Sequence, residues 1–490
     1  MKELAALDII IFGALGDLSL RKLLPSLYDL EKDSLLPQGS RIFCLARHKI
    51  GQPTYCERVA QKLEEHVDSE RYEKQIADRF IERIFYIQLD FANLSDYQNL
   101  QQRLEMTPYQ QRLFYYATAA EYFGTISQHL DQCGSITGEC RVVLEKPLGY
   151  DHQSSSIIND QVSAHFQEQQ IYRIDHYLGK QTVQNLLALR FANPIFGNQW
   201  DQNHISHIEI TIAEAVGIEG RWGYFDKAGQ MRDMVQNHLL QLLALVAMDP
   251  PDDLSADSIR DQKVRILKQL KPISLEDQKS SVVCGQYDSG NNDVELLPSY
   301  NNEVGAQGTS NTETFVAIKA EISNWRWAGM PFYLRTGKRM KQKQTQIVIH
   351  FKQLPHFIFD PEQRNLASNK LILNLQPNEG VSLQVQSKSP GINNDIQIQT
   401  TELDLNFKKE HQGIRTPHAY ERLLYEIIKG NQYLFVRRDE IEHAWTWCDN
   451  IMEHWNSPEH ILHKYPAGSW GPIESQIIIR NDKRKWFSGS

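Results

Sequence analysis

The stretch IIIFGALGDLSLRKLLPSLYDL, from Ile9 to Leu30, decides the fold of the N-terminal part of this 490-residue chain. An apolar run meets two glycines, Gly13 and Gly16, and a helical pattern follows at once. A strand, a glycine turn and a helix in this order are typical of the first unit of a dinucleotide-binding sheet. An ordinary strand–helix turn gives the same pattern, so the glycines alone leave both interpretations open.

The small residues of this turn fit two registers. In one, Gly13 and Gly16 are the last two glycines of G-x-G-x-x-G, and Ile11 occupies the first place. In the other, Gly13, Gly16 and Ser19 form a series three apart, which we prefer because Ile11 belongs inside the strand. In either register the backbone can approach a pyrophosphate, and the amides of the helix N-terminus can bind it.

The end of the next predicted strand indicates which nucleotide would bind. Arg47 follows the run Cys44–Ala46 directly. An Asp or Glu near this place would bind the ribose 2′-hydroxyl of NAD, whereas an arginine suits a 2′-phosphate. Arg47 therefore favours NADP, the other interpretation being a solvated loop arginine.

Short β-rich runs alternate with helical segments over residues 1–174. This alternation predicts a parallel sheet with helices on both faces, that is, an α/β Rossmann-like dinucleotide-binding domain. The predicted strands are Asp8–Phe12, Arg41–Ala46, Ile84–Leu89, Leu113–Ala117 and Arg141–Leu144, with polar, helix-like segments such as Thr54–Glu65 between them.

Residues 175–490 follow a different pattern. Strand-like runs, in which apolar and polar residues alternate, are separated by Gly, Pro and Asn. A long helical pattern, Met231–Met248, lies between the first two runs. We predict an α+β domain with a large, mostly antiparallel sheet, and a surface loop at Asp288–Ser310. The predicted strands are His207–Ile212, Thr314–Ile322, Trp325–Leu334, Gln346–Phe351, Lys370–Leu375, Gly380–Gln386 and Ile396–Leu405.

Bulk composition excludes several classes of protein. The net charge of -9 argues against nucleic acid as the main partner, because phosphate backbones need a basic face. Six cysteines without a C-x-x-C pair suggest neither a zinc site nor a disulfide framework, but free thiols in a reducing cytoplasm. No apolar run approaches the roughly 20 residues of a membrane helix. Asp8 interrupts the N-terminal apolar stretch, which favours a buried strand over a signal peptide.

A first candidate site lies in YRIDHYLGKQTVQNLLALRFAN, Tyr172–Asn193. His176 and Lys180 are four residues apart, so one helical turn would place them on the same face, where with Tyr177 they could bind a phosphate. Asp175 precedes them as a natural partner for a histidine, or as an ordinary helix cap.

A second candidate site surrounds His238, at the head of a nearly all-apolar helical run. A histidine in that place is either a hydrogen-bonded core residue or a catalyst. Asp233 and Asn237 on neighbouring turns favour a helix end that lines a cleft. A third cluster, YLRTGKRMKQK at Tyr333–Lys343, is either a solvated basic turn or an anion site.

Taken together, these motifs resemble the glucose-6-phosphate dehydrogenase family, most closely its bacterial branch. The matches run in order along nearly the whole chain, and RIDHYLGK is close to a family signature. They are GALGDLSLRK, EKPLG, RIDHYLGK, GIEGRWGYFDKAGQMRDMVQNHLLQ, NTETFVA, FYLRTGKRM, AYERLL, FVRRDE and GSWGP.

The resemblance implies an activity. The expected reaction is oxidation of D-glucose 6-phosphate at C1 to 6-phosphoglucono-δ-lactone with hydride transfer to NADP⁺, the first step of the oxidative pentose phosphate pathway. His238 would be the general base, and Asp175 would orient and electrostatically support it. The alternatives are a non-catalytic NADP-binding regulatory protein on the same scaffold and a related dehydrogenase of another sugar.

The resemblance also implies the binding residues and the oligomeric state. Substrate phosphate would be held by His176, Tyr177 and Lys180, sugar hydroxyls by Glu214 and Asp233, and Lys338 and Lys343 would complete the site. Lys146 would lie between substrate and nicotinamide. The NADP site would comprise Gly13, Ala14, Gly16, Asp17, Leu18, Arg47, Asp90 and Phe91. We expect no metal, and a homodimer or homotetramer formed through the second domain.

The sequence departs from the family pattern at three places. Ala119-Ala120 replaces a Pro-Pro pair near the nicotinamide, which could change cofactor placement or preference. Gln181 replaces a glutamate and His418 replaces an aspartate, and we expect both changes to be minor. None of these departures removes a catalytic candidate.

Overall fold

The computed structural model describes residues 4–106, 111–292, 295–356, 358, 367–390, 398–406, 415–455, 457 and 460–487. The chain forms two compact units. The first unit comprises Met1–Lys180, Asp252–Arg260 and Thr416–Glu442, and the second comprises Gln181–Pro251, Asp261–Arg415 and His443–Ser490.

A parallel sheet forms the centre of the first unit. Its six strands in the described residues are β1 (Asp8–Phe12), β2 (Arg41–Ala46), β3 (Ile84–Gln88), β4 (Arg112–Tyr116), β5 (Arg141–Leu144) and β6 (Ile171–Arg173). Their order is β3-β2-β1-β4-β5-β6, and every pairing is parallel. This is the strand order of a dinucleotide-binding sheet, with its topological switch point between β1 and β4. The predicted Rossmann-like class is confirmed.

The apolar run that opened the sequence is buried on both sides. Ile9 and Ile11 pack into the core on one face of the sheet, and Ile10 and Phe12 pack into the core on the other face. Because alternate side chains of a strand point to opposite faces, a strand covered on both faces reads as a continuous apolar run.

Helices cover both faces of this sheet and continue through the second unit. They are α1 (Leu24–Lys32), α2 (Gln52–His66), α3 (Lys74–Ile81), α4 (Leu94–Glu105), α5 (Phe123–Gln132), α6 (His152–Ser163), α7 (Gln181–Phe191), α8 (Pro194–Gly197), α9 (Trp222–Gln230), α10 (Leu240–Ala247), α11 (Ala256–Lys268), α12 (Leu275–Ser281), α13 (Ala419–Lys429), α14 (Arg438–Met452) and α15 (Ser475–Arg480). Two π-helical segments precede α1 and α10, at Ser19–Leu23 and Met231–Leu239, and 3₁₀ turns lie at Ala120–Tyr122, Glu168–Gln170 and Tyr300–Asn302.

The predicted division of the chain at 174/175 differs from the observed units. The first unit continues to Lys180 and includes a C-terminal segment, Thr416–Glu442. The reason is packing: Leu423, Leu424 and Ile427 of α13 belong to the same core as Leu27 of α1. No local pattern in the sequence indicates that so distant a segment completes the first core.

A large mixed sheet forms the second unit. In the described residues its order is β16-β15-β14-β13-β7-β12-β11-β8-β17. Only two of its pairings, β7 with β12 and β8 with β17, are parallel, so the prediction of a mostly antiparallel sheet is confirmed. The strands are β7 (Ile205–Ala213), β8 (Val282–Asp288), β11 (Phe315–Ala320), β12 (Phe332–Gly337), β13 (Gln344–Phe351), β14 (Lys370–Gln376), β15 (Gly380–Lys388), β16 (Ile398–Asn406) and β17 (Leu462–Pro466), while β9 (Gly290–Asn291) and β10 (Leu296–Leu297) form a separate hairpin.

In this region one strand was missed, one predicted strand needs correction, and part of a third cannot be compared. The sequence did not reveal β8, because Gly285 interrupts its pattern; there the glycine permits close packing, since a Cβ would lie 3.0 Å from Pro472. The predicted strand Trp325–Leu334 begins only at Phe332, because the Trp327 indole turns inward to donate to the Ala247 carbonyl at 2.7 Å. Residues 396–397 of the last predicted strand lie outside the described residues.

The predicted surface loop Asp288–Ser310 is partly buried. Tyr300 is fully buried and stacks on Trp222, with ring centroids 4.4 Å apart. Its hydroxyl donates to Asp226 at 3.0 Å.

The described helices include none with the length and apolar character required to cross a bilayer.

Candidate active site

The glycine turn after β1 has the geometry of a nucleotide-binding turn. Gly13 has φ +92°, and a Cβ on it would lie 2.2 Å from the Ala117 carbonyl oxygen at the end of β4. Only glycine fits there. The Ser19 hydroxyl donates to the Gly13 carbonyl at 3.0 Å, so Ser19 holds the turn as the third small residue of the preferred register. The backbone is therefore exposed at the switch point, where a pyrophosphate can approach it.

The other predicted cofactor residues of the turn differ in exposure. Ala14 is buried, and its carbonyl accepts from the Tyr55 hydroxyl at 3.1 Å. Gly16 and Asp17 are exposed, and Leu18 is half-buried. Asp17 pairs with Arg21 at 3.3 Å on the surface, which gives Arg21 a local role of its own. The start of the helix is thus exposed at Gly16 and Asp17, where an anion can approach it.

Arg47, Asp90 and Phe91 follow the carboxyl ends of β2 and β3, on the same edge of the sheet as the glycine turn. Arg47 is exposed and directly follows a strand paired with β1. The Asp90 carboxylate accepts from the Ala92 amide at 3.0 Å, and the Phe91 ring packs near Phe12. The fold therefore brings Arg47, Asp90 and Phe91 to the same sheet edge as the glycine turn.

Lys146 lies on the same edge, after β5. The residue before it, Glu145, is buried and accepts from the Tyr115 hydroxyl at 2.5 Å. Burial raises the pKa of Glu145, although the Tyr115 and Tyr420 hydroxyls act in the opposite direction. This anchored glutamate fixes the backbone from which Lys146 projects.

The segment after β6 contains Asp175, His176, Tyr177 and Lys180. The prediction of one helical turn from His176 to Lys180 is wrong: the residues form consecutive tight turns, and α7 begins only at Gln181. The Asp175 carboxylate causes this conformation, because it accepts from the Tyr177 amide at 2.9 Å. The turns bring the Lys180 ammonium over the Tyr177 ring, 3.6 Å from its centroid.

In the second unit, Glu214, Asp233 and Lys338 form one cluster. Glu214 and Lys338 directly follow the neighbouring parallel strands β7 and β12, and their side chains form an ion pair at 2.6 Å. The Asp233 carboxylate lies 3.9 Å from the same ammonium group. Lys338 is buried and its ammonium lies 5.0 Å from the Phe225 ring centroid. Two carboxylates around one lysine form a constellation suited to hydroxyl groups of a sugar.

His238 lies on the same π-helix as Asp233, near its end. A π-helix closes each turn with i→i+5 bonds, so residues five apart lie nearer one face than they would in an α-helix. Asp233 and His238 are such a pair. The His238 amide donates to the Asn237 side-chain oxygen at 2.6 Å, which fixes the backbone beside the imidazole. A search for α-helical periodicity could not have found this relationship.

Lys343 differs from the other predicted substrate residues. It is exposed and lies just before β13, five residues beyond the buried Lys338. The two lysines of the RTGK region therefore differ: Lys338 is buried within a charged cluster, and Lys343 is exposed to solvent.

A buried group that the sequence did not indicate consists of His207, Glu209 and His350. The two imidazole rings stack at 4.0 Å, and Nε2 of His350 lies 2.8 Å from the carboxylate. Burial lowers the pKa of His207 to about 4. Burial alone would raise the pKa of Glu209, but the hydrogen bonds from the two imidazoles lower that pKa to about 2. The donor types suit a metal ion, and the ligand atoms of the three residues lie within 4.8 Å of one another, but the Glu209 carboxylate already interacts with the cationic side chains of Arg335 and Lys370. We therefore interpret the group as a buried polar cluster in which one carboxylate contacts two imidazoles.

Comparison with known families identifies both parts of the chain. A family model described as "Glucose-6-phosphate dehydrogenase, NAD binding domain" matches residues 10–185, and one described as "Glucose-6-phosphate dehydrogenase, C-terminal domain" matches residues 187–487. The glucose-6-phosphate 1-dehydrogenase of Dickeya dadantii is 48% identical over 485 residues, covering 98% of each chain. That of Rhizobium meliloti is 44% identical over 479 residues, covering 98% of this chain and 97% of the relative.

Solved structures give the same result. A glucose-6-phosphate dehydrogenase in complex with its substrate glucose-6-phosphate superposes with a TM-score of 0.90 at 31% identity, covering all of both chains. A glucose-6-phosphate 1-dehydrogenase from Mycobacterium avium superposes with a TM-score of 0.84 at 32% identity, covering 99% of each chain.

Proposed function

The chain belongs to the glucose-6-phosphate dehydrogenase family, and from this premise we propose that it oxidises D-glucose 6-phosphate at C1 to 6-phosphoglucono-δ-lactone with hydride transfer to NADP⁺. It is an oxidoreductase acting on a CH-OH group, and its reaction is the first step of the oxidative pentose phosphate pathway. The cluster of Glu214, Asp233 and Lys338, with Asp233 on the π-helix of His238, is the observation that carries this proposal.

His238 is the proposed general base. The C1 hydroxyl proton passes to the imidazole as the C1 hydride leaves and the C1–O double bond forms. The nicotinamide of bound NADP⁺ supplies the hydride acceptor. Asp175 is proposed to stabilise the imidazolium that results, a role that rests on the family resemblance. Its turn-forming hydrogen bond with the Tyr177 amide supports a fixed orientation of the carboxylate.

The remaining residues bind and position the substrate. Glu214, Asp233 and Lys338 are proposed to bind sugar hydroxyls, because an ion pair of this kind offers both acceptors and donors. The phosphate is assigned to His176, Tyr177 and Lys180, with Lys343 as an outer cation. Lys146 is assigned to the position between substrate and nicotinamide.

NADP⁺ is proposed to bind at the carboxyl edge of the first sheet. The glycine turn with Ala14, Asp17 and Leu18 would hold the pyrophosphate, and Arg47 the 2′-phosphate. Asp90 and Phe91 would complete the site. Support comes from the close approach at Gly13, which leaves the backbone uncovered by a side chain.

The described cysteines are all free thiols, which supports a reducing compartment, and we propose the cytoplasm. A homodimer or homotetramer is proposed from the family resemblance, and the molar mass of the purified protein in solution tests it. Neither nucleic acid nor a membrane is proposed as a partner.

One assay tests the proposed activity. The purified protein is mixed with glucose 6-phosphate and NADP⁺, and NADPH formation is followed by absorbance. Turnover supports the proposal, and its absence under varied pH and salt would contradict it and favour a regulatory NADP-binding protein. A panel with other sugar phosphates and with free glucose tests the remaining alternative, a dehydrogenase of another sugar.

A further inference from the structure

We propose that Glu313 is a positioning residue of this enzyme, whose carboxyl group fixes the first turn of the π-helix that carries Asp233 and His238. Glu313 belongs to the motif NTETFVA, Asn311–Ala317, which carries part of the family resemblance and to which the resemblance assigns no residue role above. The inference rests on the proposed function of that helix.

The π-helix begins where the regular backbone of the preceding helix is interrupted. Gly229 has φ +68° and ψ 175°, so α9 and the π-helix are not continuous. The first amides of any helix have no acceptor within the helix. Gln230, at the N-cap position, provides no side-chain hydrogen bond to them. The start of the π-helix therefore depends on acceptors from another part of the chain.

Glu313 provides two such acceptors. Its Oε1 accepts from the Met231 amide at 3.0 Å, and its backbone carbonyl accepts from the Gln230 amide at 3.0 Å. A carboxyl oxygen at a helix N-terminus replaces the missing intrahelical acceptor and interacts favourably with the helix dipole. Because side chain and backbone of the same residue are both used, they fix the position and the direction of the first turn.

The fit between Glu313 and this interruption is close. A Cβ on Gly229 would lie 2.3 Å from Oε1 and 2.6 Å from Oε2 of the Glu313 carboxyl group. The carboxyl group therefore occupies the space that any side chain at position 229 would need. Glycine is required there twice, for its positive φ and for this contact.

The same segment also holds Lys338. The carbonyl of Thr314, the residue after Glu313, accepts from the Lys338 amide at 2.9 Å. Tyr465 donates its hydroxyl to the Lys338 carbonyl at 2.7 Å and lies within hydrogen-bond distance of the Thr314 hydroxyl. Glu313 therefore binds the start of the helix that carries Asp233, and Thr314 binds the backbone of Lys338. The side chains of Asp233 and Lys338 meet in the proposed sugar site.

The environment of Glu313 makes an incidental role implausible. The residue is only 6% exposed, and burial raises its pKa to about 7. The ionisable groups that interact with it in the described residues include Arg232, Cys284 and Tyr300. Burial of a carboxyl group is costly unless its oxygens accept hydrogen bonds. The bond from Met231 provides this compensation, and it is the bond that begins the helix.

Three variants of the full-length protein test the inference: Glu313→Ala, Glu313→Gln and Glu313→Asp. Hydrogen exchange of the peptide that contains Met231–His238 is compared with steady-state kcat and KM. We expect faster amide exchange and a kcat lower by about tenfold or more in Glu313→Ala, because misplaced catalytic groups reduce rates steeply. Glu313→Gln keeps an acceptor oxygen and should restore both properties in large part.

Glu209→Gln is the matched control. Glu209 is also a buried carboxylate that accepts a backbone N–H, from Phe487 at 2.9 Å, and its ion-pair partners in the described residues are His207 and His350, which lie on strands and not on the π-helix. Its variant should leave exchange in Met231–His238 and kcat near wild-type values. If it lowered kcat as much as Glu313→Ala, general destabilisation would be the explanation and the inference would be overturned.

Two further outcomes are decisive. If Glu313→Ala does not fold, Glu313→Asp replaces it, and its shorter side chain should give faster exchange and a lower kcat; wild-type values for both would overturn the inference. If wild-type protein turned over no substrate, the proposed function would fail. The exchange data would still show whether Glu313 holds the π-helix, so the two failures are distinguishable.

Discussion

Glu214 and Lys338 directly follow two adjacent parallel strands, and their charged groups meet at 2.6 Å. The Glu214 amide donates to the Gly337 carbonyl at 2.9 Å, so the strand register continues to the pair itself. Because Lys338 is buried, this ion pair is only weakly screened by solvent. The parallel pairing of β7 with β12 thus places the two side chains opposite each other in an otherwise mostly antiparallel sheet.

Lys338→Ala should raise the KM for glucose 6-phosphate by about 10- to 150-fold, because a hydrogen bond to a charged group contributes roughly 1.5–3 kcal/mol. The loss also leaves Glu214 and Asp233 without their shared cation. Initial-rate measurements over a range of substrate concentrations test this. Lys343→Ala is the matched control. Because Lys343 is exposed, the KM of this variant for glucose 6-phosphate should change much less. Equal effects would show that burial of Lys338 does not matter.

The fold could largely be predicted from the sequence because its strongest signals are local. The run Ile9–Phe12 and the turn at Gly13 define strand, turn and helix within one short segment. The membership of α13 in the first core could not be predicted, because hundreds of residues separate Leu423 from Leu27. The same holds for β8, where Gly285 breaks the pattern and only a distant proline explains its presence.

The candidate site could be predicted as a set of residue types but not as a geometry. Glu214 and Lys338 meet through strand pairing, which no spacing in the sequence encodes. Asp233 and His238 share a π-helix, whose turn length differs from the period used to read helices. The turn at Asp175 replaced an expected helix, since a side-chain acceptor competes locally with helical hydrogen bonds.

His238→Asn should lower kcat by about 10²–10⁴-fold, the usual contribution of a general base, with little change in KM for glucose 6-phosphate. Asp175→Asn should lower kcat less, because asparagine keeps the oxygen that accepts from the Tyr177 amide. Steady-state kinetics of both variants, with circular dichroism to confirm folding, provide the test. A kcat near wild type for His238→Asn would refute the assignment of the base.

Arg47→Ala should raise the KM for NADP⁺ by about tenfold or more and leave the KM for NAD⁺ nearly unchanged, since only NADP⁺ carries the 2′-phosphate. The kinetic constants are measured with each cofactor at saturating glucose 6-phosphate. Arg21→Ala is the control, because Arg21 is also exposed but pairs with Asp17. A parallel increase for both cofactors in Arg47→Ala would refute contact with the 2′-phosphate.

Gly13→Ala should destabilise the first unit and impair NADP⁺ binding. A left-handed backbone costs an ordinary residue about 1–2 kcal/mol, and the methyl group would also meet the Ala117 carbonyl at 2.2 Å. Thermal unfolding and titration with NADP⁺ measure the two effects. Gly16→Ala is the comparison, because its Cβ would meet only the Gly13 carbonyl, at 3.1 Å, without a positive φ. The prediction requires a clearly larger loss of stability in Gly13→Ala than in Gly16→Ala.

Glu313 should make the protein less stable as pH rises. Its pKa is about 7 in the folded protein and 4.5 in the reference state, so the folded state binds the extra proton between these values. Stability is therefore greater below pH 4.5 and falls by about 3 kcal/mol as pH rises to 7. Glu313→Gln removes this dependence, so its thermal midpoint relative to wild type should be more favourable at pH 8 than at pH 5.5.

Glu209 provides the opposite case, since its folded pKa of about 2 lies below 4.5 and its contribution to stability is lost only as pH falls. Glu209→Gln should therefore lower the midpoint at both pH values by similar amounts. Equal differences from wild type at the two pH values for Glu313→Gln would show that this carboxyl group does not titrate in the range given.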